Sequence, residues 1–229
     1  VTIAAAEIVR LLLLSTTWIE TTGSADGLVA YANDFRDINP FPNGDYGFGP
    51  WSYTANQFWV LLFGLVVLAL SALLIWRLVN SPWGRVIKGI REDEDAVRSL
   101  GKNVFAYKMQ ALVVGGVIAG LGGALYVLPS SANPMLFATS LTFFVWTALL
   151  LGGAATIFGP LLGAVIFWVL QAFLGSILPA MAEVGLLGGL SSSQAGALRF
   201  VLVGILLVLI VVIRPQGIVG DKRELTFVK

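Results

Sequence analysis

The sequence contains no cysteine and no histidine. Without cysteine there are no disulfides and no thiol nucleophiles. Without histidine there is no Cys/His zinc site and no histidine-based catalytic triad. Charge is scarce as well. Charged residues make up 12% of the chain, about half the roughly 25% of an ordinary soluble domain. The net charge of +1 gives no bulk attraction for nucleic acid. Hydrophobic residues, at 57% with a mean hydropathy of +0.87, take the place of the missing charge. Such a composition does not describe a water-facing surface; it describes a chain solvated by lipid.

Apolar runs recur along the sequence at residues 57–79, 104–128, 141–157, 161–178 and 197–213. A membrane-spanning helix needs about 17–25 such residues. Backbone groups in lipid have no water to bond, so each run is read as a helix. Residues 1–14 are apolar but span only about 21 Å at ~1.5 Å per residue, short of the ~30 Å hydrocarbon core. The sequence begins at Val1 and reads as entering partway through a helix, with its N-terminal part missing. The expectation is an all-α, polytopic transmembrane helix bundle: five full spans plus a partial N-terminal one, forming a single domain over residues 1–229.

The link between the 141–157 and 161–178 runs, Leu151-Gly152-Gly153-Ala154-Ala155-Thr156-Ile157-Phe158-Gly159-Pro160, is uncharged and rich in helix breakers. Two readings stay open: a tight turn between helices, or a broken or re-entrant helix. Small residues recur at helical spacing in two rows, Gly115, Ala119, Gly123 and Gly116, Gly120, Ala124. Such rows let helices approach closely, and we expect them to pack within the chain.

Basic residues set the orientation. They cluster at Arg77, Arg85, Lys88, Arg91, Arg98, Lys102 and Lys108, and again at Arg214, Lys222, Arg223 and Lys229. Both segments are predicted to be cytoplasmic, the second as a C-terminal tail over residues 214–229. Residues 15–56 then fall outside. They carry Glu20, Asp26, Asp34, Asp37 and Asp45 against Arg36 alone. Their Asn39-Pro40-Phe41-Pro42-Asn43-Gly44 stretch reads as an ordered extracytoplasmic loop. Residues 179–196 form a second, shorter outer loop. Trp18, Trp51, Trp59 and Trp76 lie near span ends, where aromatic belts form.

Residues 81–103 are the most informative stretch. Ser81-Pro82 is a helix start, a capping hydroxyl followed by proline at the first helical position. Trp83, Val86, Ile87 and Ile90 recur on one helical face. Arg91-Glu92-Asp93-Glu94-Asp95-Ala96-Val97-Arg98-Ser99-Leu100-Gly101 follows. Its four consecutive acids are expected to open a second short helix, where the helix dipole favours them. Glu94 and Arg98 are spaced to pair at i, i+4. Gly101 suits the left-handed residue that ends such a helix, and Asn103 suits a cap for the next span. A short, charged helix-turn-helix with an apolar face is suited to docking a cytoplasmic partner.

The 81–103 pattern resembles the coupling loop of the inner-membrane, M-type permease subunits of branched-chain amino acid ABC importers. The likeness continues in Tyr107-Lys108, Ala119-Gly120-Leu121-Gly122-Gly123-Ala124-Leu125-Tyr126, Leu151-Gly152-Gly153, Phe158-Gly159-Pro160-Leu161-Leu162-Gly163-Ala164 and Arg214-Pro215-Gln216-Gly217-Ile218-Val219-Gly220. Glu7-Ile8-Val9-Arg10-Leu11 and Thr22-Gly23-Ser24-Ala25-Asp26-Gly27-Leu28 also look like that family. Asp95-Ala96-Val97-x-x-x-Gly101 is similar to the EAA motif by which ABC permeases dock their ATPases, departing in two of its three leading residues. The resemblance implies an ATPase-coupling set of Arg91, Glu92, Asp93, Glu94, Asp95, Ala96, Arg98 and Gly101. Where the family commonly has Gly-x-Gly-Thr, this chain has Gly153-Ala154-Ala155-Thr156, which removes the central glycine. The loop over residues 32–53 is longer than the family pattern.

The resemblance also implies partners: a second homologous permease subunit, two cytoplasmic ATPase subunits, an extracytoplasmic substrate-binding protein and the lipid of a bacterial inner (cytoplasmic) membrane, with no nucleic acid. Cofactors are expected on the ATPases, which use ATP and Mg, and none on this chain. In agreement, Gly101-Lys102-Asn103 lacks the upstream glycine and following Ser/Thr of a Walker A loop. The chain is therefore expected to be a transport subunit, not an enzyme.

Charges inside the membrane supply the substrate-path candidates. Glu7 and Arg10 stand one helical turn apart, able to pair with each other or to meet the two charges of an amino acid. Gly152, Gly153 and Thr156 join them. Gln171, Asn133 and Thr147 are expected to be structural, and Arg199 to snorkel to the outer interface. A urea or short-amide permease, an ATP-independent secondary transporter and a channel remain as alternative readings.

Overall fold

The computed structural model describes residues 2–28, 31–48, 51–154, 156–185, 189, 191–214 and 216–220. Ala155, the side chain of Trp51 and the tail cations Lys222, Arg223 and Lys229 lie outside what is described. The chain divides into two compact units, residues 1–139 and 140–229.

In the first unit, α1 (Thr2–Leu14) leads into a 3-10 turn (Thr16–Trp18) and α2 (Ile19–Thr22), bent by 61° from α1. The described residues of the segment that follows form a short helix and two strands. After α3 (Asn33–Asp37), strands β1 (Asp45–Phe48) and β2 (Trp51–Thr54) form an antiparallel hairpin with Asp45 opposite Thr54. Aromatic rings hold it against the next helix. Tyr46 stacks on Phe58 at 5.2 Å, and Phe41 meets Phe58 edge-on at 5.1 Å. A second tie joins Leu28 and Ala132 through reciprocal backbone bonds of 3.0 and 3.2 Å.

Thr54 ends the hairpin and starts α4 (Ala55–Asn80) through a capping box with Gln57. The 26 residues of α4 reach about 39 Å, enough to cross a membrane. Then come α5 (Pro82–Glu92), α6 (Glu94–Ser99) and α7 (Val104–Val127), the last a second long apolar helix. The two rows of small residues lie on α7. Cβ atoms added at Gly115, Gly116 or Gly120 would meet nothing within 4 Å, and only Gly123 approaches a neighbour, the Phe137 ring at 3.4 Å. Within the first unit the 3-10 turn Pro134–Phe137 is the neighbour of these rows, and it meets one end of α7.

The second unit contains α8 (Thr139–Gly152), α9 (Gly159–Glu183) and α10 (Ser192–Ile213). Its core is Ala148 and Leu151 of α8, the fully buried Phe167 of α9 and Val203 of α10. The α8–α9 join is a tight turn made by glycines. A Cβ on Gly152 would lie 1.8 Å from the Gly159 carbonyl oxygen, and one on Gly163 would lie 2.1 Å from that of Ala148. The helices meet backbone to backbone. Gly153 leaves α8 at φ +111°, a conformation that side chains disfavour.

This turn shortens the 141–157 apolar run. Residues 141–157 were expected to span, yet α8 has 14 residues, because Gly152 and Gly153 end it. Conversely, α9 runs through Pro179 to Glu183 and α10 begins at Ser192, so residues 179–196 are loop only in part. Pro179 has no N–H to donate to the Gly175 carbonyl, so α9 lacks one ladder bond four residues before its end. Among the described residues four helices are long and apolar enough to cross a membrane: Ala55–Asn80, Val104–Val127, Gly159–Glu183 and Ser193–Ile210. A fifth is added if Thr2–Leu14 and Thr16–Thr22 make one bent span. The protein is a multi-pass helical membrane protein with a small β-hairpin between α3 and α4.

The glycine crossing makes a direct prediction. Gly163→Ala must push apart two backbones and should cost about 1–3 kcal/mol, as overpacking does. Gly204→Ala, where nothing lies within 4 Å, should cost nothing. Thermal unfolding of the detergent-solubilised subunit separates the two.

Candidate functional site

The 81–103 segment is held at both ends by side-chain caps. Ser81 accepts from the Gly84 amide at 3.3 Å and Pro82 sits at the first position of α5. Asn103 accepts from the Ala106 amide at 3.1 Å and starts α7. Gly101 has φ +74° and closes α6 as expected. Gly84 is buried where α4 turns into α5; a Cβ there would stand 2.2 Å from the Val79 carbonyl oxygen. Trp83, Val86, Ile87 and Ile90 are all half-buried, while Arg85 and Lys88 on the other face are exposed. The Trp83 indole N–H donates to Gln110 of α7 at 2.8 Å. Val97 packs α6 onto α5 at Gly89.

The acids are divided differently from the expected single helix start. Arg91 and Glu92 close α5, Asp93 is the cap between the helices, and only Glu94 and Asp95 open α6. Asp93 accepts from the Ala96 amide at 2.9 Å. Its extended backbone, φ −152°, breaks the run. Glu94 is a hub: it pairs with Arg98 at 2.8 Å and accepts from Lys108 of α7. Asp95 pairs with Arg98 at 3.1 Å. The Lys108 ammonium first, with Arg98 adding to it, holds the Glu94 carboxyl below the usual carboxylate range. The apolar Leu100, 78% exposed, stands at the tip beside this charged surface. The cap role of Asp93 was legible in the sequence as an Asp three residues before an amide in need. The Glu94–Lys108 contact was not, because it joins residues of different helices.

Glu7 and Arg10 do pair. Arg10 Nε donates to Glu7 Oε2 at 3.0 Å, and its Nη2 donates to Oε1. Thr139 donates to the same Oε2 at 3.1 Å. The trio ties α1 to Thr139, the last residue of the first unit.

Gly152, Gly153 and Thr156 are brought together in the α8–α9 turn. Thr156 donates to the Gly153 carbonyl at 3.2 Å and accepts from the Gly159 amide at 2.9 Å, so it caps α9. Sequence reasoning missed the neighbour of this turn. The segment after α10 folds back so that the Ile218 and Val219 amides donate to the carbonyls of Leu151 and Gly152, at 2.9 and 3.1 Å. Those carbonyls end a helix and have no partner within it. The signal was the Arg214-Pro215-Gln216-Gly217 break after a long apolar run.

Residues 1–211 match the family described as branched-chain amino acid transport system / permease component. A probable branched-chain amino acid transport permease protein LivM from Methanocaldococcus jannaschii is 28% identical over 86% of this chain and 54% of its own length. The high-affinity branched-chain amino acid transport system permease proteins LivM of Salmonella typhimurium and Escherichia coli are 29% and 28% identical, each over 97% of this chain and 50% of their own. The chain spans about half the length of the curated relatives it matches. No solved structure matches it.

Asp93→Ala should free the first amides of α6 at a cost of about 0.5–2 kcal/mol. Hydrogen exchange at Ala96 would then speed up, while α7 exchange stays unchanged. The Glu94 pair has a definite pH sense. A depressed folded-state pKa gives stability that is present at neutral pH and lost as pH falls through that lowered value. The pair should therefore persist at pH 5 and break only in stronger acid, as followed by the carboxyl carbon shift of Glu94.

Proposed function

This chain belongs to the family of branched-chain amino acid transport system permease components, and on that premise we propose that it is the transmembrane subunit of an ATP-driven ABC importer moving branched-chain amino acids inward. The observation that carries this is the family match over residues 1–211. The names of the LivM relatives support the substrate class. The partners in this reading are a second homologous permease, two cytoplasmic ATPases that bind ATP and Mg, and an extracytoplasmic binding protein. Five spans, α4, α7, α8, α9 and α10, cross the membrane, α8 as the short one, and α1 adds a partial sixth. The α5–α6 pair and the C-terminal tail face the cytoplasm, where basic residues concentrate.

Arg91, Glu92, Asp93, Glu94, Asp95, Ala96, Arg98 and Gly101 are the docking surface for an ATPase. A coupling element must move as a rigid piece. The caps at Ser81, Asp93 and Asn103 and the Trp83–Gln110 bond support that requirement. ATPase closure would push α5–α6, and α7 would follow through Gln110 and Lys108, rocking the helices to open the path inward. Glu7, Arg10, Gly152, Gly153 and Thr156 border the path through the helix joins they hold.

Replacing Glu94 and Asp95 by Lys tests the docking surface. In the assembled importer, ATPase stimulation by loaded binding protein should fall about tenfold, a coupling of ordinary size. The amount of folded subunit should not change. Transport at the wild-type rate would remove the docking assignment.

A further inference from the structure

Two polar groups in the second unit have no partner in anything described above. Gln171 is the middle residue of α9. It is only 6% exposed, and its Oε1 accepts no hydrogen bond among the described residues. Arg199 lies two turns inside α10, and its buried Nε likewise donates to nothing among the described residues. No described carboxylate lies within ion-pair distance of Arg199. Its guanidinium is folded onto α9 at Gly175, where an added Cβ would stand 2.8 Å from Nη1. The guanidinium carbon lies 4.7 Å from the centre of the Phe200 ring. Gly175 is one turn from Gln171 on the same helical face, so the cation and the acceptor share the α9–α10 seam.

Snorkelling, the role the sequence suggests for Arg199, does not fit this placement. Gly175 stands eight residues inside the end of α9 at Glu183, about 12 Å at ~1.5 Å per residue. The guanidinium lies level with Gly175 and not at the helix end. An unpaired cation at such depth, like a buried acceptor without a donor, is costly and calls for a partner.

We propose that Arg199 and Gln171 form the subsite for the charged head of the transported amino acid. This rests on the amino acid importer reading above. The guanidinium fork matches an α-carboxylate, and Gln171 Oε1 is a neutral acceptor for the α-ammonium. Phe144 stacks on Phe200 at 5.8 Å and meets the buried Phe167 at 5.7 Å, which places an aromatic wall beside the seam for an aliphatic side chain. The mid-helix position of Gln171 suits a site near the centre of the bilayer, where transporters hold their substrates. The seam is shut in this conformation, since Nε and Oε1 expose no surface. Binding therefore requires α9 and α10 to part as the path opens.

The test uses the full importer in proteoliposomes with its binding protein and labelled leucine. Arg199→Gln should assemble in normal amounts and retain ATPase stimulation by loaded binding protein, yet lose leucine uptake by about tenfold or more; Arg199→Lys, which keeps the charge but not the fork, should lose less. The absence of native cysteine allows a second reading through Gln171→Cys. Its reaction with a small water-soluble thiol reagent should be slowed by leucine-loaded binding protein. Wild-type uptake by Arg199→Gln, or a Cys at 171 that never reacts, would overturn the subsite. Failure of Arg199→Gln to assemble would also overturn it, by assigning Arg199 to a neighbouring subunit's carboxylate. A wild-type importer that hydrolyses ATP under loaded binding protein but takes up no leucine would instead remove the amino acid reading itself.

Discussion

The governing constraint is that a polar group in lipid must find its partner inside the protein. It explains why this apolar chain is built of long helices and why it is so particular where a helix stops. The end of α8 shows how the constraint is met. Gly152 and Gly153 let α8 and α9 touch backbone to backbone, Thr156 caps the next helix, and the strand of chain after α10 returns to donate to the carbonyls α8 leaves open. This uncharged turn is held in part because the Leu151 and Gly152 carbonyls each meet an amide.

The same constraint divides the molecule's charges into two kinds. Those of α5 and α6 are mostly exposed, capped and paired in small networks around Glu94 and Arg98. Exposed pairs of this kind contribute little stability, roughly 0–1 kcal/mol each. Their value lies in fixing the shape of a short element that would not hold a helix alone. The charges within apolar helices are few. Glu7 and Arg10 neutralise each other, whereas Arg199 is left to a ring face and a glycine notch.

Much of this was legible in the residue order. Ser81-Pro82, Asn103 and Gly101 act as the caps and stops their chemistry suggests, because caps are local. The long spans α4, α7, α9 and α10 follow from hydropathy, and the family from motifs spread over the chain. Misreadings arose where distant residues decide. Residues 141–157 look long enough to span, yet a backbone contact with α9 needs Gly152 and ends α8. The 45–54 hairpin is held by rings of α4 that lie outside its own sequence window. The run of four acids splits at Asp93 because a cap wins over continuity. The small-residue rows of α7 have the right spacing for packing, but spacing does not name the partner, and within the first unit only Gly123 meets a side chain.

The central claim is that this chain works as one subunit of an ATP-driven assembly. The most direct measurement is co-purification of the protein from mildly solubilised native membranes, with mass spectrometry of what accompanies it. The account predicts two ATPase subunits and a second permease in stoichiometric amounts. Recovery of this chain alone, under conditions that preserve other membrane complexes, would contradict it.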